Sequence, residues 1–168
     1  MDNTYTFEFS RLPENLEQLK NLKEAGLTTA QETGALTVLA LCVYDTDPDT
    51  AIEMLDFLRG PRPLSNYEKQ FLKDRLSGKN YLPMSYFEGS SPQNNYTPSK
   101  PYTINVKANN YSYDFESEGH ITLYIQSSGA DSPRPIKFRY KPSTNQWFLW
   151  EEMLLSDIRK PAELDPWA

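Results

Sequence analysis

The sequence is short of the residues that carry most chemistry. One cysteine, Cys42, and one histidine, His120, occur in 168 residues. A lone cysteine excludes an intrachain disulfide. Common zinc sites draw several ligands from His and Cys, so a histidine-based metal site is not expected. Glycine is also scarce, at seven residues, and none sits in a phosphate-cradling loop or a GxSxG elbow. The longest apolar run, ALTVLALCV from Ala35 to Val43, falls far short of the ~20 residues that cross a bilayer. The start, MDNTYTFEFS, has neither the basic residues nor the apolar segment of a signal peptide, which points to a cytoplasmic protein. Basic charge is outnumbered, 17 Lys and Arg against 23 Asp and Glu, so nucleic acid is not expected as a partner. These absences leave no coherent catalytic set and imply no cofactor.

Aromatic residues and proline are abundant: 11 Tyr, 8 Phe, 3 Trp and 13 Pro. That aromatic content is enough to build a core and argues against disorder. The length suits one domain. Residues 4–9 alternate, with Tyr5, Phe7 and Phe9 on one side, as in a half-buried strand. Residues 12–79 then read as helical. Leu12, Leu16, Leu19 and Leu22 follow helical spacing behind Pro13, and Gly26 is a candidate C-terminal stop. Thr29 and Glu32 have capping-box spacing before an apolar run with little polar face, which marks a central helix. Asp47-Pro48 caps a third helix with Ile52, Leu55, Phe57 and Leu58 as its stripe. The DTDPD run lacks the glycine and distal glutamate of an EF-hand loop, so Asp47 reads as a cap and not a calcium ligand. Ser65 and Glu68 start a fourth helix, with Tyr67, Phe71, Leu72 and Leu76 as its apolar face and Gly78 as its end.

Residues 80–102, NYLPMSYFEGSSPQNNYTPSKPY, form an aromatic, proline-rich crossing segment. Its four prolines exclude a long helix or a central strand. Two readings stay open. Tyr86, Phe87 and Tyr96, with Lys100, form a recognition surface, or the segment is a strap whose rings plug the gap between helices and sheet. From residue 103 to 150 the period becomes two. Ile104 and Val106, then Ile121, Leu123 and Ile125, then Ile136, Phe138 and Tyr140, mark strands of an antiparallel sheet, closed by Gln146–Trp150 with aromatics on both faces. Residues 151–168 suggest a short helix over EEMLLSDIRKP and a tail, with Glu151 and Glu152 in the helix's first turn. The expected fold is a single α+β domain over residues 1–168: three to four N-terminal helices on one face of a C-terminal antiparallel sheet of four to five strands.

The runs RGPRPLSNYEKQFLKDRLSGKNYLP, SYFEG, NNYTPSKPYTINV, SSGADSPRPIKFR and QWFLWEEMLLSDIRKP together resemble an uncharacterised domain-of-unknown-function family of anaerobic gut bacteria. The resemblance covers roughly Leu12 to Trp167 and implies no catalytic residues, substrate or cofactor. At the level of fold, helices followed by a sheet ending in a Trp-rich strand look like NTF2-like or cystatin-like proteins, which often form a ligand cone.

The leading expectation is a non-enzymatic binding or interaction module that uses aromatic loop surface, with an unidentified protein or small ligand as partner. The candidate contact residues are Tyr86, Phe87, Tyr96, Lys100, His120, Asp131 and Arg134. One alternative is a small-molecule pocket between helices and sheet, for binding or for catalysis, with His120, Tyr124, Asp131 or Arg134 at its mouth. Another is a homodimer through the sheet face.

Overall fold

The computed structural model describes residues 3–168. It is an α+β arrangement of five helices and a five-stranded antiparallel sheet. The strands are β1 (Thr4–Phe9), β2 (Tyr102–Lys107), β3 (His120–Ile125), β4 (Arg134–Lys141) and β5 (Gln146–Glu152). They lie side by side in chain order. All five helices fall between β1 and β2: α1 (Leu16–Lys20), α2 (Ala30–Val43), α3 (Pro48–Arg59), α4 (Asn66–Leu76) and the single turn α5 (Tyr81–Met84). The N-terminal strand therefore pairs with a strand about a hundred residues away, Phe7 opposite Ile104 and Tyr5 opposite Val106.

The centre is α2. Every one of its residues except Glu32 is buried. Both halves of its capping box form: the Thr29 hydroxyl accepts from Glu32 N, and the Glu32 carboxylate accepts from Thr29 N at 3.1 Å. Asp47 caps α3 by accepting from Thr50 N, with Pro48 at the first position. Ser65 and Glu68 close a second capping box on α4. These caps satisfy amide groups that have no partner within the helix.

Four expectations need correction. The first helical segment is shorter than its leucine spacing suggests. Asn15 caps it, a 3-10 turn follows over Lys23–Gly26, and Leu27, not Gly26, takes the left-handed conformation at φ 55°. The buried stripe of α3 is Ala51, Met54, Leu55, Leu58 and Arg59, while Ile52 and Phe57 pack only partly. On α4 only Leu72 and Leu76 are buried; Tyr67 is 81% exposed and Phe71 41%. Finally, the helix expected over residues 151–161 does not form, and only a 3-10 turn over Ala162–Leu164 follows β5. Glu151 and Glu152 extend β5, and residues 153–161 run irregularly across the core, burying Leu154, Leu155 and Ile158. The backbone groups of that segment are taken by distant partners. Met153 N donates to Pro135 O at 3.1 Å and Arg159 N to Gly129 O at 2.9 Å, which replaces the local bonds a helix would have made.

In the doubly aromatic β5 only Leu149 is buried, while Trp147, Phe148 and Trp150 are half-buried. On its outer side the turn after α3 crosses it. Gly60 has a φ of 62°, and a Cβ there would lie 2.6 Å from the Phe148 ring. Gly78 has a φ of 69° with open space around it. Gly60→Ala should therefore cost more than Gly78→Ala. Both have a positive φ that strains a residue with a Cβ by about 1–3 kcal/mol, and only the first adds an overpacking cost of about 1–3 kcal/mol. Urea unfolding of the two variants checks this, and equal losses would contradict the Phe148 packing.

Candidate functional site

The rings of the crossing segment are inside the protein. Tyr86 is 3% exposed, Phe87 2% and Tyr96 2%, so these three candidates present no surface to a partner. The strap reading accounts for them physically. Tyr86 donates its hydroxyl to Leu154 O, and Tyr96 donates its own to Arg159 O at 2.5 Å. Tyr96 also stacks on Tyr81 at 5.8 Å, and Phe87 meets Tyr102 edge-on at 5.3 Å. Burial pushes the Tyr86 phenol up, with the nearby Glu152 carboxylate adding to the shift. The two tyrosines thus hold the irregular C-terminal segment by its carbonyls.

Two more candidates serve the same segment. Arg134 donates to Ser156 O at 3.2 Å and Asp157 O at 3.0 Å, clamping a turn in which Asp157 has a positive φ. Asp131 pairs with Arg159 at 2.9 Å on the open surface, where such pairs contribute little. Lys100 lies over the Tyr102 ring at 5.6 Å. His120 and Tyr124 are half-buried on the outer sheet face, since their strand neighbours Ile121, Leu123 and Ile125 point to the core. The His120 ring meets Trp150 edge-on at 5.9 Å, and its Nε2 is 3.4 Å from Arg139 Nη1. None of these residues lines the cleft formed by α3, α4 and β5.

That cleft has a volume of about 370 Å³ and lies between α3, α4 and the end of β5. Its walls are apolar: Leu41 from α2, Leu55 from α3, Leu72 from α4, and Leu149 and Leu155 beyond. Tyr67 and Phe71, one helical turn apart on α4, stand at its edge with their rings in solvent. At the cleft's polar side is Arg59, only 5% exposed. Its position follows from spacing, because it comes four residues after Leu55 on the buried stripe. Arg59 Nε donates to Arg62 O and Nη2 to Glu68 Oε2, both at 2.9 Å. Glu68 therefore does two jobs, since its Oε1 accepts from Ser65 N at 3.0 Å in the capping box. Burial lowers the Arg59 pKa against the pull of Glu68, while the Ser65 bonds and Arg59 hold the Glu68 carboxyl below its ordinary value despite its own desolvation.

Glu152 comes to the cleft through an irregularity in the sheet. Phe138 lies opposite Leu149, but Lys137 lies opposite Glu151 and Ile136 opposite Glu152. Trp150 is the extra residue of a β-bulge. Without it Glu151 would face Ile136 and the core. With it Glu152 does, and Glu151 turns outward beside Lys137. Glu152 Oε2 accepts from Leu154 N at 2.8 Å. Burial, reinforced by Glu151, raises its pKa from 4.5 to about 7, against the opposing pull of the Leu154 bond and Arg59. The bulge is pinned from outside: the Arg62 guanidinium lies 3.9 Å over the Trp150 ring and donates to Trp150 O, and Arg139 approaches the same ring at 5.5 Å.

The sequence reading missed the three residues that matter most here. Arg59 was detectable, because a charge fell on an apolar stripe. Glu68 was read as the capping-box partner of Ser65. Glu152 carried no signal, because a bulge has no fixed sequence mark. Other exposed aromatics also lie outside the crossing segment: Tyr111, Tyr113 and Phe115 in the loop before β3, and Tyr5 on β1.

Fold and cleft together describe an α+β arrangement with a half-closed amphiphilic pocket between helices and sheet. The chain belongs to the family described as Domain of unknown function (DUF6935), whose model matches residues 11–162. No curated protein and no solved structure matches the chain, so the likeness to NTF2-like and cystatin-like folds gains no support from one. Among the described residues no group of three or more His, Cys, Asp or Glu side chains is placed to hold a metal ion. Among the described residues no helix is long and apolar enough to cross a membrane.

Two outcomes test this geometry. Tyr86→Ala should cost about 3–5 kcal/mol, as large aromatic truncations do, and Tyr86→Phe about 1 kcal/mol for the lost bond to Leu154. Surface tyrosines would instead leave the melting temperature unchanged. The second test concerns Glu152. Its folded carboxyl keeps its proton to higher pH than in the unfolded chain, so stability is greatest below pH about 4.5 and falls as pH rises through about 7. Relative to Glu152→Gln, the wild type should lose up to roughly 3 kcal/mol across that window. Parallel stability curves for the two would show that Glu152 does not face the core.

Proposed function

We propose that the protein is a ligand-binding module whose site is the cleft between α3, α4 and β5. The observation behind this is convergence. A cleft of about 370 Å³ falls in the range of small-molecule sites, and apolar walls, an ion pair between a buried arginine and a half-buried glutamate, and an inward carboxyl meet in it. Burying a charge is expensive, and a buried pair is often no more stable than apolar residues of similar volume. Retaining Arg59, Glu68 and Glu152 around apolar walls makes sense where polar groups orient a ligand. The aromatic contact surface is then Tyr67 and Phe71 at the cleft's edge, in place of Tyr86, Phe87 and Tyr96. A non-enzymatic role fits better than catalysis, because no nucleophile in the lining is hydrogen-bonded to a base among the described residues.

A neutral solvatochromic dye such as Nile red tests the site without favouring either charge. It should bind with enhanced fluorescence, and Tyr67→Ala with Phe71→Ala should weaken it several-fold. Both rings are exposed, so the melting temperature should stay nearly constant. Binding that is indifferent to both substitutions would remove the cleft as the site.

A further inference from the structure

The cleft's charges are unequal, and this inference rests on its being a binding site. Its lining holds two arginines, Arg59 and Arg75, and three glutamates, Glu68, Glu151 and Glu152. Arg59 is neutralised by Glu68 at 2.9 Å. Arg75 lies along α4 with its guanidinium 5.2 Å from the Phe71 ring, at the solvent side. Glu151 is exposed and turned outward by the bulge. What remains facing the apolar interior is Glu152. One of its oxygens is held by Leu154 N, and the other accepts no hydrogen bond from the protein. Beside it, the exposed Tyr67 offers a ring face at the edge, which attracts cations.

The geometry points to an organic ammonium with an apolar, ring-bearing body as the ligand: the ammonium on the free oxygen of Glu152, the body against Leu55, Leu72 and Leu155, and Tyr67 and Phe71 closing over it. A carboxylate in the same place would face Glu152 with Glu151 and Glu68 close by, and its only cation not already paired would be the solvent-side Arg75. A neutral body would gain the apolar contacts but leave the Glu152 oxygen without a partner. An ammonium–carboxylate bond is charge-assisted and stronger than a neutral one.

Binding should also release a proton. The groups facing Glu152 are Arg59 from α3, Glu68 and Arg75 from α4, Glu151 on its own strand and Tyr86 from the strap. Glu152 is half-protonated near pH 7, so the ammonium must displace that proton, and its affinity should rise up to about tenfold from pH 6 to pH 8.

Chemical-shift titrations with phenethylammonium, phenethyl alcohol and phenylacetate test the assignment. The expected order is ammonium tightest by about tenfold over the alcohol, with phenylacetate weakest. Amide shifts should be confined to α3, α4 and residues 149–156. Glu152→Gln keeps an acceptor for Leu154 N; it should erase the ammonium's advantage over the alcohol. The pH arm uses the wild type alone: affinity should rise with pH for the ammonium and stay flat for the alcohol. Equal affinity of ammonium and alcohol, tightest binding of phenylacetate, or a pH-independent ammonium would overturn the cation assignment while the cleft reading stands. If none of the three probes moves these amides and Nile red also fails to bind, the cleft reading falls and takes this inference with it.

Discussion

A fourteen-residue helix with one solvated position can exist only if other elements cover it all round, and the rest of the fold answers that demand. The sheet covers one side of α2, where the Phe138 ring comes within 3.1 Å of the place a Cβ of Gly34 would occupy. Gly34 thus reads as a packing position that admits an aromatic ring, and not simply as a weak point in the helix. Helix α3, α5 and the 3-10 turn before α2 close the remaining sides. Two threonines in this dry environment need partners, since an unsatisfied buried hydroxyl costs about 1–3 kcal/mol. Thr33 donates to Trp147 O at 2.6 Å and Thr37 to Thr33 O at 2.8 Å. The Thr33 bond ties the central helix to the edge strand that carries the bulge.

Much of this was legible because the signals were local. A cap at Thr29, Asp47 or Ser65 needs only residues three positions apart, and all three formed. Alternation in β3 and β4 needs only neighbours. The C-terminal segment failed as a helix prediction for the opposite reason. MLLSDIRK has reasonable helical spacing, but its hydrogen-bond partners lie in Pro135, Gly129, Tyr86, Tyr96 and Arg134. Nothing within the segment announces them. The crossing segment shows the same limit from the other side. Its aromatic wealth was visible, but whether a ring faces water or core depends on which carbonyl waits for its hydroxyl.

The cleft divides along the same line. Tyr67 and Phe71 were placed on one face of α4, correctly, but that face was expected to be covered. Capping geometry fixes where α4 begins, and it also brings Glu68 to the end of α3, where Arg59 is already buried. One glutamate thereby compensates a guanidinium that could not otherwise remain in that place. The apolar faces of α3 and α4 stop short of full contact beside this pair, and the cleft is the space left over.

The bulge links the two sides of the sheet. A one-residue slip in β5 would bring Glu151 inward and send Glu152 out, because side chains alternate with period two. Burying either carboxylate costs several kcal/mol, so the choice between them cannot come from the inner side alone. Trp150 supplies the difference. Its ring is held from outside by Arg62, Arg139 and His120. Each cation–π contact contributes about 0.5–1 kcal/mol at an exposed site, and the carbonyl of the bulged residue takes the Arg62 guanidinium as donor. A slipped register would release all of these together. The lone histidine, expected as a candidate contact residue, thus bears on the cleft without reaching it, through the strand register that decides which glutamate looks in.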